Sequence, residues 1–406
     1  MEDKKFNNNR DWFFISEKLD ALMNSLPVPP HTRKEFNDYD LYLFWTKLFT
    51  PGGGGGASQL FANALFVDAQ FGNDATAVPF SLMDFTTNPL VNKYQTILAA
   101  KAAANFGDVI IVYPGQYQEN ANLYKNGVSY YFYPQANVLN LSNQPCWSTF
   151  RGQFCNVYGS GNFSNGSVGG VIFLDQGSLY MECHDIESNT NPVSIFDGDL
   201  QLKCHDILCQ LNAAMRIRDS ANTDNSVVIN AYSIRTFTVG GNNPTISNVT
   251  SGPGYQGYLK ITAHKISGST NSGNPILRLD NFLVPGQTYM EFDVDFFEVI
   301  NNADDNSIID VFACNNTKYV IRGNIDTTNT PARRPITMGG PNSGMEFIYE
   351  GDIHAIRGRV LTVTGDGQVV RMRGKFYSEA DSTFEISGTN SITYVDGEIV
   401  NVGAIP

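Results

Sequence analysis

The chain has no apolar run of the roughly 18 residues that a membrane helix needs, so insertion into a bilayer by a helix is not expected. Positive charge is scarce: 27 Lys and Arg stand against 40 Asp and Glu, the net charge is −13, and no basic tract occurs. A nucleic-acid backbone is therefore excluded as the principal partner, because phosphate binding needs clustered cations. Cysteine is scarce too, with six residues in 406 and no regular pairing, so a disulfide framework is not expected; Cys146 and Cys155 are the one pair that a loop brings near in sequence. The opening "MEDKKFNNNRDWFF" lacks the apolar stretch of a signal peptide, which points to synthesis in a cytoplasm. The glycine run "PGGGGGAS" lacks the Lys of a phosphate-binding loop, and no Ser/His/Asp arrangement stands out.

What is present is a repeat. "LYMECHDI" from Leu179, "LQLKCHDI" from Leu200, "VVINAYSI" from Val227, "LKITAHKI" from Leu259 and "MEFDVDFF" from Met290 end in the apolar anchors Ile186, Ile207, Ile234, Ile266 and Phe297. Three, five and seven places before each anchor stand apolar residues, and the place at minus three holds Cys183, Cys204, Ala231, Ala263 or Val294. Four further copies have one residue fewer, with a glycine two places before the anchor: Gly323 with Ile325, Gly351 with Ile353, Gly374 with Phe376 and Gly397 with Ile399. These markers lie 21 to 32 residues apart, too close for one domain each. Between them run second apolar segments such as "ILRLD" to Asp280, "VLTVTG" to Gly365 and "FEISG" to Gly388, giving two strands per rung. A unit of this size cannot bury its apolar face alone and must stack on its neighbours, which predicts an all-β parallel β-helix. The composition, 42% apolar and 17% charged with 37 Gly and 19 Tyr, suits such a turn-rich β protein.

Stacking can be tested within the sequence, since equivalent outward residues of neighbouring rungs should lie ~4.8 Å apart. Three places before the last four anchors stand Arg322, Glu350, Arg373 and Asp396, alternating in sign, and Glu182 precedes Lys203 at one place in the first two rungs.

Ahead of the repeat the pattern is helical. Trp12, Ile15, Leu19, Leu22 and Leu26 follow three- and four-residue steps, stopped by Pro27, Pro29 and Pro30. After "TRKE" a second helix is expected, in which Leu41, Leu43, Phe44, Trp45, Leu48 and Phe49 spread around most of the circumference and call for cover by another surface. The organisation read from this is a helical attachment or oligomerisation segment over 1–50, a glycine-rich linker over 51–63, a cap with the first rungs over 64–134 and the β-helix body over 135–406. In the cap, "ALFVDAQFGNDATAV" is a strand and turn. "YQTILAAKAAANFG" is a helix with Ile97, Ala100 and Ala104 on one side and Gly107 as its stop, and "DVIIVYPGQYQEN" is a buried strand. A helix there would cover the open end of the first rung.

"FVDAQFGNDATA" followed by "YQTILAAKAAANFGDVIIVYPGQYQEN" resembles the opening of pectin-lyase-like right-handed parallel β-helix proteins, including bacteriophage tailspikes and tail-associated proteins. The resemblance covers about residues 64 to 134 by motif and the remainder by rung pattern. It implies a right-handed coil and a structural virion protein, made in the host cytoplasm, joined to tail or baseplate proteins, forming a homotrimer and touching a bacterial surface polysaccharide. The chain departs from tailspikes that carry a further C-terminal locking domain, since it reaches Pro406 directly after the last rung.

The cluster Cys183, His184, Asp185, Cys204, His205, Asp206 and Cys209 holds enough soft ligands for zinc. The register turns Cys183 and Cys204 inward as core residues, so neither metal nor cofactor is assigned. His184, His205, Tyr232 and His264 share one outward place and form a column on one face, read either as stacking along the ladder or as a platform for sugar rings. For hydrolysis of a glycan, the carboxylates Glu291, Asp293 and Asp295 alternate along one strand, with Asp304 and Asp305 in the next loop. Two functional readings stand: an adhesive structural protein without catalysis, and a polysaccharide hydrolase or lyase on the same scaffold.

Overall fold

The computed structural model describes residues 64–79, 93–149, 151–166, 169–217, 225–237, 244–249, 257–269, 275–280, 288–301, 307–312, 316–327, 335–340, 345–355, 358–378 and 383–401. The segments expected over 1–50 and 51–63 lie outside these residues.

The apolar repeat closes into a parallel β-helix. Described strands form one sheet of eighteen strands and one of ten, and each strand of the smaller sheet pairs with its successor along the chain, from Trp147–Ser148 to Phe384–Ile386. One coil reads Gly177–Glu182, a corner at Cys183 and His184, Asp185–Ser188, a turn, and Val193–Ile195 in the second sheet. A coil therefore has three strand segments rather than two strands, because the longer strand bends at the corner. From Gly198–Cys209 onward both segments run on as one strand, except in the coil of Glu346–Glu350 and Ile353–Ala355, where they are separate again.

The nine marker positions align. Cys204 pairs with Ala231, Ala231 with Ala263 and Ala263 with Val294, while Gly374 pairs with Gly397. Cys183 and Cys204 stand between the matched pairs Glu182 with Lys203 and Asp185 with Asp206. The register slips between Asp293 and Phe296, where the corner loses one residue. The anchors Ile186, Ile207, Ile234, Ile266, Phe297, Ile325, Ile353 and Phe376 then run as a column through the core, each at most 2% exposed. Each such side chain contributes roughly 1.5–3 kcal/mol of transfer free energy, and the column supplies this at every coil.

Glycine is required where the corner is short. Gly323, Gly351, Gly374 and Gly397 have φ of 149°, 154°, 148° and 154°, and a Cβ on Gly351 would collide with the backbone oxygen of Gly323 in the coil before it. With the extra residue present, Cys, Ala or Val fits instead. At the second corner the inward residues are polar: Asn140, Asn165, Ser188, Cys209 and Thr236 follow one another in register. Their side chains hold the following turns, as in Asn165 Nδ2 donating to Gly170 O at 2.7 Å and Asn212 N donating to Cys209 Sγ at 3.2 Å.

The helix Ile97–Ala103 starts at Thr96, whose Oγ1 accepts from Ala99 N at 3.2 Å, and buries Ile97 and Ala100 completely. It packs on Ala64–Val67, Val109–Val112 and Gly115–Glu119 and so covers the first coil. It ends at Ala104 rather than at Gly107. The latter, at φ 89°, already belongs to the next strand's approach and donates to Gly127 O at 2.9 Å. The described cysteines Cys146, Cys155, Cys183, Cys204 and Cys209 are all free and buried.

Candidate functional site

The first corner builds the most organised surface among the described residues. In Gly198–Cys209, Leu200, Leu202 and Cys204 point inward and the next inward residue is Ile207, so His205 and Asp206 both fall on the outer side. The same geometry puts His184 and Asp185, Tyr232 and Ser233, His264 and Lys265, and Asp295 and Phe296 outside successive coils. The column expected from the sequence is present. Ring centroids are 5.1 Å apart for His184 and His205, 4.9 Å for His205 and Tyr232, and 4.9 Å for Tyr232 and His264, with interplanar angles of 13°, 13° and 21°. Phe296 closes the column edge-on to His264 at 5.7 Å and 85°.

This stacking decides what the column offers. Ring faces are turned to one another, so a ligand meets ring edges, with their polar N–H and O–H atoms, and the outer face of His184 above the coil of Gly161. Phe296 adds an exposed apolar ring that the sequence pattern did not single out. Carboxylates border the rings: Asp295 Oδ2 is 2.7 Å from His264 Nδ1, and Asp185 Oδ2 is 3.0 Å from His184 Nδ1. Asp206 is held by Ser233 Oγ at 2.6 Å and Arg235 NH2 at 2.8 Å. Cys183 and Cys204 lie inside, 8% exposed, and burial pushes the Cys183 thiol well up, so that thiol stays neutral.

The carboxylates considered for catalysis have different partners. Glu291 is nearly buried and its Oε1 takes Lys260 Nζ at 3.2 Å and Arg322 NH1 at 2.5 Å. Burial alone would raise its pKa, but the bonds from Arg322 and Lys260 together outweigh that and hold the carboxyl below its ordinary range. Glu291 is thus a rung of a charge ladder that continues from Arg322 to Glu350 at 2.8 Å, and its lowered pKa favours the ionised form over the protonated one that a general acid needs. Asp293 lies in register with Thr262 and Arg322, and Asp295 sits at the corner with His264. Asp304 and Asp305 lie outside the described residues. So do Trp12, Ile15, Leu19, Leu22, Leu26, Leu41, Phe44 and Trp45.

Two features escaped the sequence. On the outer face of the early coils Tyr113 stacks on Tyr133 at 5.6 Å, Tyr131 meets Tyr133 edge-on at 5.3 Å, and Tyr158 leans on Tyr180 at 5.2 Å. The signal was the alternation in "SYYFYP", where Tyr130 and Phe132 turn inward and Tyr131 and Tyr133 outward. In the second sheet, burial raises the Asp280 carboxyl to about 6, opposed by Arg278 at 3.0 Å and reinforced by Asp310, whose own pKa is raised by burial. Comparison with family models, with curated proteins and with solved structures finds no match to this chain, so its function must be argued from these residues.

Proposed function

We propose that the chain is a structural virion protein of a bacteriophage, associated with the tail, whose β-helix presents its exposed ring column to a bacterial surface polysaccharide. The observation that carries this reading is the column itself: four stacked rings on a rigid edge, repeating at one coil spacing, with imidazole, phenol and carboxylate groups along their rims. A saccharide offers hydroxyls to such rims and apolar C–H faces to Phe296 and to the free face of His184. Residues 1–50 serve in this reading to join the particle and a trimer of identical chains, because their apolar stripe needs cover.

The test is a panel of bacterial surface glycans with the full-length protein, read as binding and as release of reducing ends or of unsaturated sugars. Saturable binding that Tyr232→Ala weakens at least tenfold, with no cleavage, is the expected result. Binding indifferent to Tyr232→Ala and to His264→Ala would remove the column from the interaction. The depolymerase alternative has one observation in its favour, the buried Asp280 raised to about 6 beside Asp310. Cleavage abolished by Asp280→Asn would replace the adhesive reading with that one.

A further inference from the structure

We propose that His184, Asp185 and His205 form a binding site for a divalent first-row transition metal, independent of any glycan. Their ligand atoms all lie within 4.8 Å of one another at the exposed corner of two adjacent coils. Two ligands of one ion, each at ~2.1 Å from it, stand roughly 3.4 Å apart at a tetrahedral angle and 4.2 Å at most. Asp185 Oδ1 lies in that range, 3.8 Å from His205 Nδ1, while its Oδ2 stands closer, at ion-pair distance, 3.0 Å from His184 Nδ1. Closing the remaining separation takes rotation of two imidazoles whose side chains are 53% and 49% exposed, at the expense of their stacking on each other and on Tyr232 and not of core packing.

A second observation points the same way. Asp185 Oδ1 is shielded from solvent yet accepts no hydrogen bond among the described residues. A buried carboxylate oxygen without a donor is costly, and a bound cation is one of the few things that relieve it. The neighbouring Asp206 is not in that position, since Ser233 and Arg235 satisfy it, whereas the charged neighbours of Asp185 are the two imidazoles that would share the ion with it. Two imidazoles with one carboxylate suit Zn²⁺, Co²⁺, Ni²⁺ or Cu²⁺ rather than Ca²⁺ or Mg²⁺, which prefer oxygen alone. Three protein ligands leave positions for water. The rest of the column lacks this chemistry among the described residues: Tyr232 follows His205, and His264 has its own carboxylate, Asp295, with Tyr232 and Phe296 as its ring neighbours.

Full-length protein, stripped with a chelator and titrated with Co²⁺, tests the site through visible d–d absorption and calorimetry. One ion per chain is expected, competed by Zn²⁺ and not by Ca²⁺. His205→Ala and Asp185→Asn should each weaken binding by more than tenfold, while His264→Ala should bind as the parent does. Hyperfine-shifted proton signals in the parent Co²⁺ complex should count two imidazoles, a readout that needs no variant to fold. The proposal is overturned by absence of saturable Co²⁺ binding, by binding that survives both ligand substitutions, or by a complex showing fewer than two shifted imidazoles.

Discussion

The central coils and the C-terminal coils turn the same corner in two ways. From Cys183 to Val294 the corner carries an extra residue, holds a small side chain inside and displays rings outside. From Gly323 to Gly397 it is one residue shorter, needs a left-handed glycine at each coil, and the outer surface carries charges instead. The longer corner relieves the backbone and so leaves its outer position open to many side chains. The shorter one commits the backbone and gives each coil a glycine that nothing else replaces.

The sharpest way to break this contrast is to exchange the residues. Gly351→Ala places a Cβ against the backbone oxygen of Gly323 at φ 154°, where no flexible side chain can yield, and should cost about 3 kcal/mol or more. Ala263→Gly, at the equivalent place of a longer corner, should cost only about 1 kcal/mol, from chain entropy and one lost methyl. Urea unfolding of both variants measures the difference. Equal costs would mean that the two corners are not distinct in strain.

The two regions also hold their carboxyl groups differently, and pH separates them. Asp280, flanking the central coils, has its folded pKa raised to about 6 above an unfolded value near 4. Its stabilising contribution is therefore complete below about pH 4 and lost as pH rises through 6. That loss is at most about 3 kcal/mol, and Asp280→Asn should abolish it, leaving the variant more stable than the parent at pH 7 unless the weakened Arg278 pairing offsets the gain. Glu346, bound by Lys318 at 3.0 Å and Arg371 at 3.0 Å, is shifted the other way, mainly by the bond from Lys318. Its contribution is present at neutral pH and lost on acidification. Unfolding curves of parent and Asp280→Asn across pH 4 to 7 that run parallel would show that Asp280 ionises without penalty.

A smaller effect is expected from the ladder that joins the regions. Arg322→Ala leaves Glu291 with Lys260 and the distant Tyr289 hydroxyl and removes the Arg322 bond to Glu350, for a cost of about 1–2 kcal/mol at pH 7. Because the folded pKa of Glu291 is depressed, the difference from the parent should shrink as pH falls below about 4. A gap that stays constant with pH would assign the cost to lost packing of the Arg stem.

Much of this architecture was legible because apolar anchors and small corner residues recur at fixed offsets. Those offsets name the in-register pairs from Cys204 to Val294, the slip near Phe296 and the stacked rings. The alternation of Arg322 and Glu350 was legible for the same reason, and they do pair. The three-sided coil was not, since a bent strand and a straight one have similar alternation. Asp280 looked like a turn residue at the end of "ILRLD", because its surroundings come from stacking: Phe312 lies in register with it in the next coil, and the charge of Asp310 there acts on its carboxyl. Of the two readings of the column, stacking along the ladder is the one the ring geometry bears out. Outward position was readable from the sequence, but mutual coverage depends on side-chain rotamers.

The smallest effect should come from the column itself, and its size bears on why the rings are there. His205→Ala removes two parallel contacts, to His184 and to Tyr232. Aromatic pairs contribute roughly 0.5–1.5 kcal/mol when buried, but these rings are about half exposed, so a total of about 0.5–1 kcal/mol is expected. Cys204 and Ile207, which carry the core at that corner, are untouched by the change. Urea unfolding measures the cost, and far-UV circular dichroism checks that the coil survives. A loss near 3 kcal/mol would place the column among the elements that hold the solenoid together, with the same weight as the short glycine corners. A loss below 1 kcal/mol leaves four exposed rings that the fold does not need, and a surface the fold does not need is better explained by what it touches.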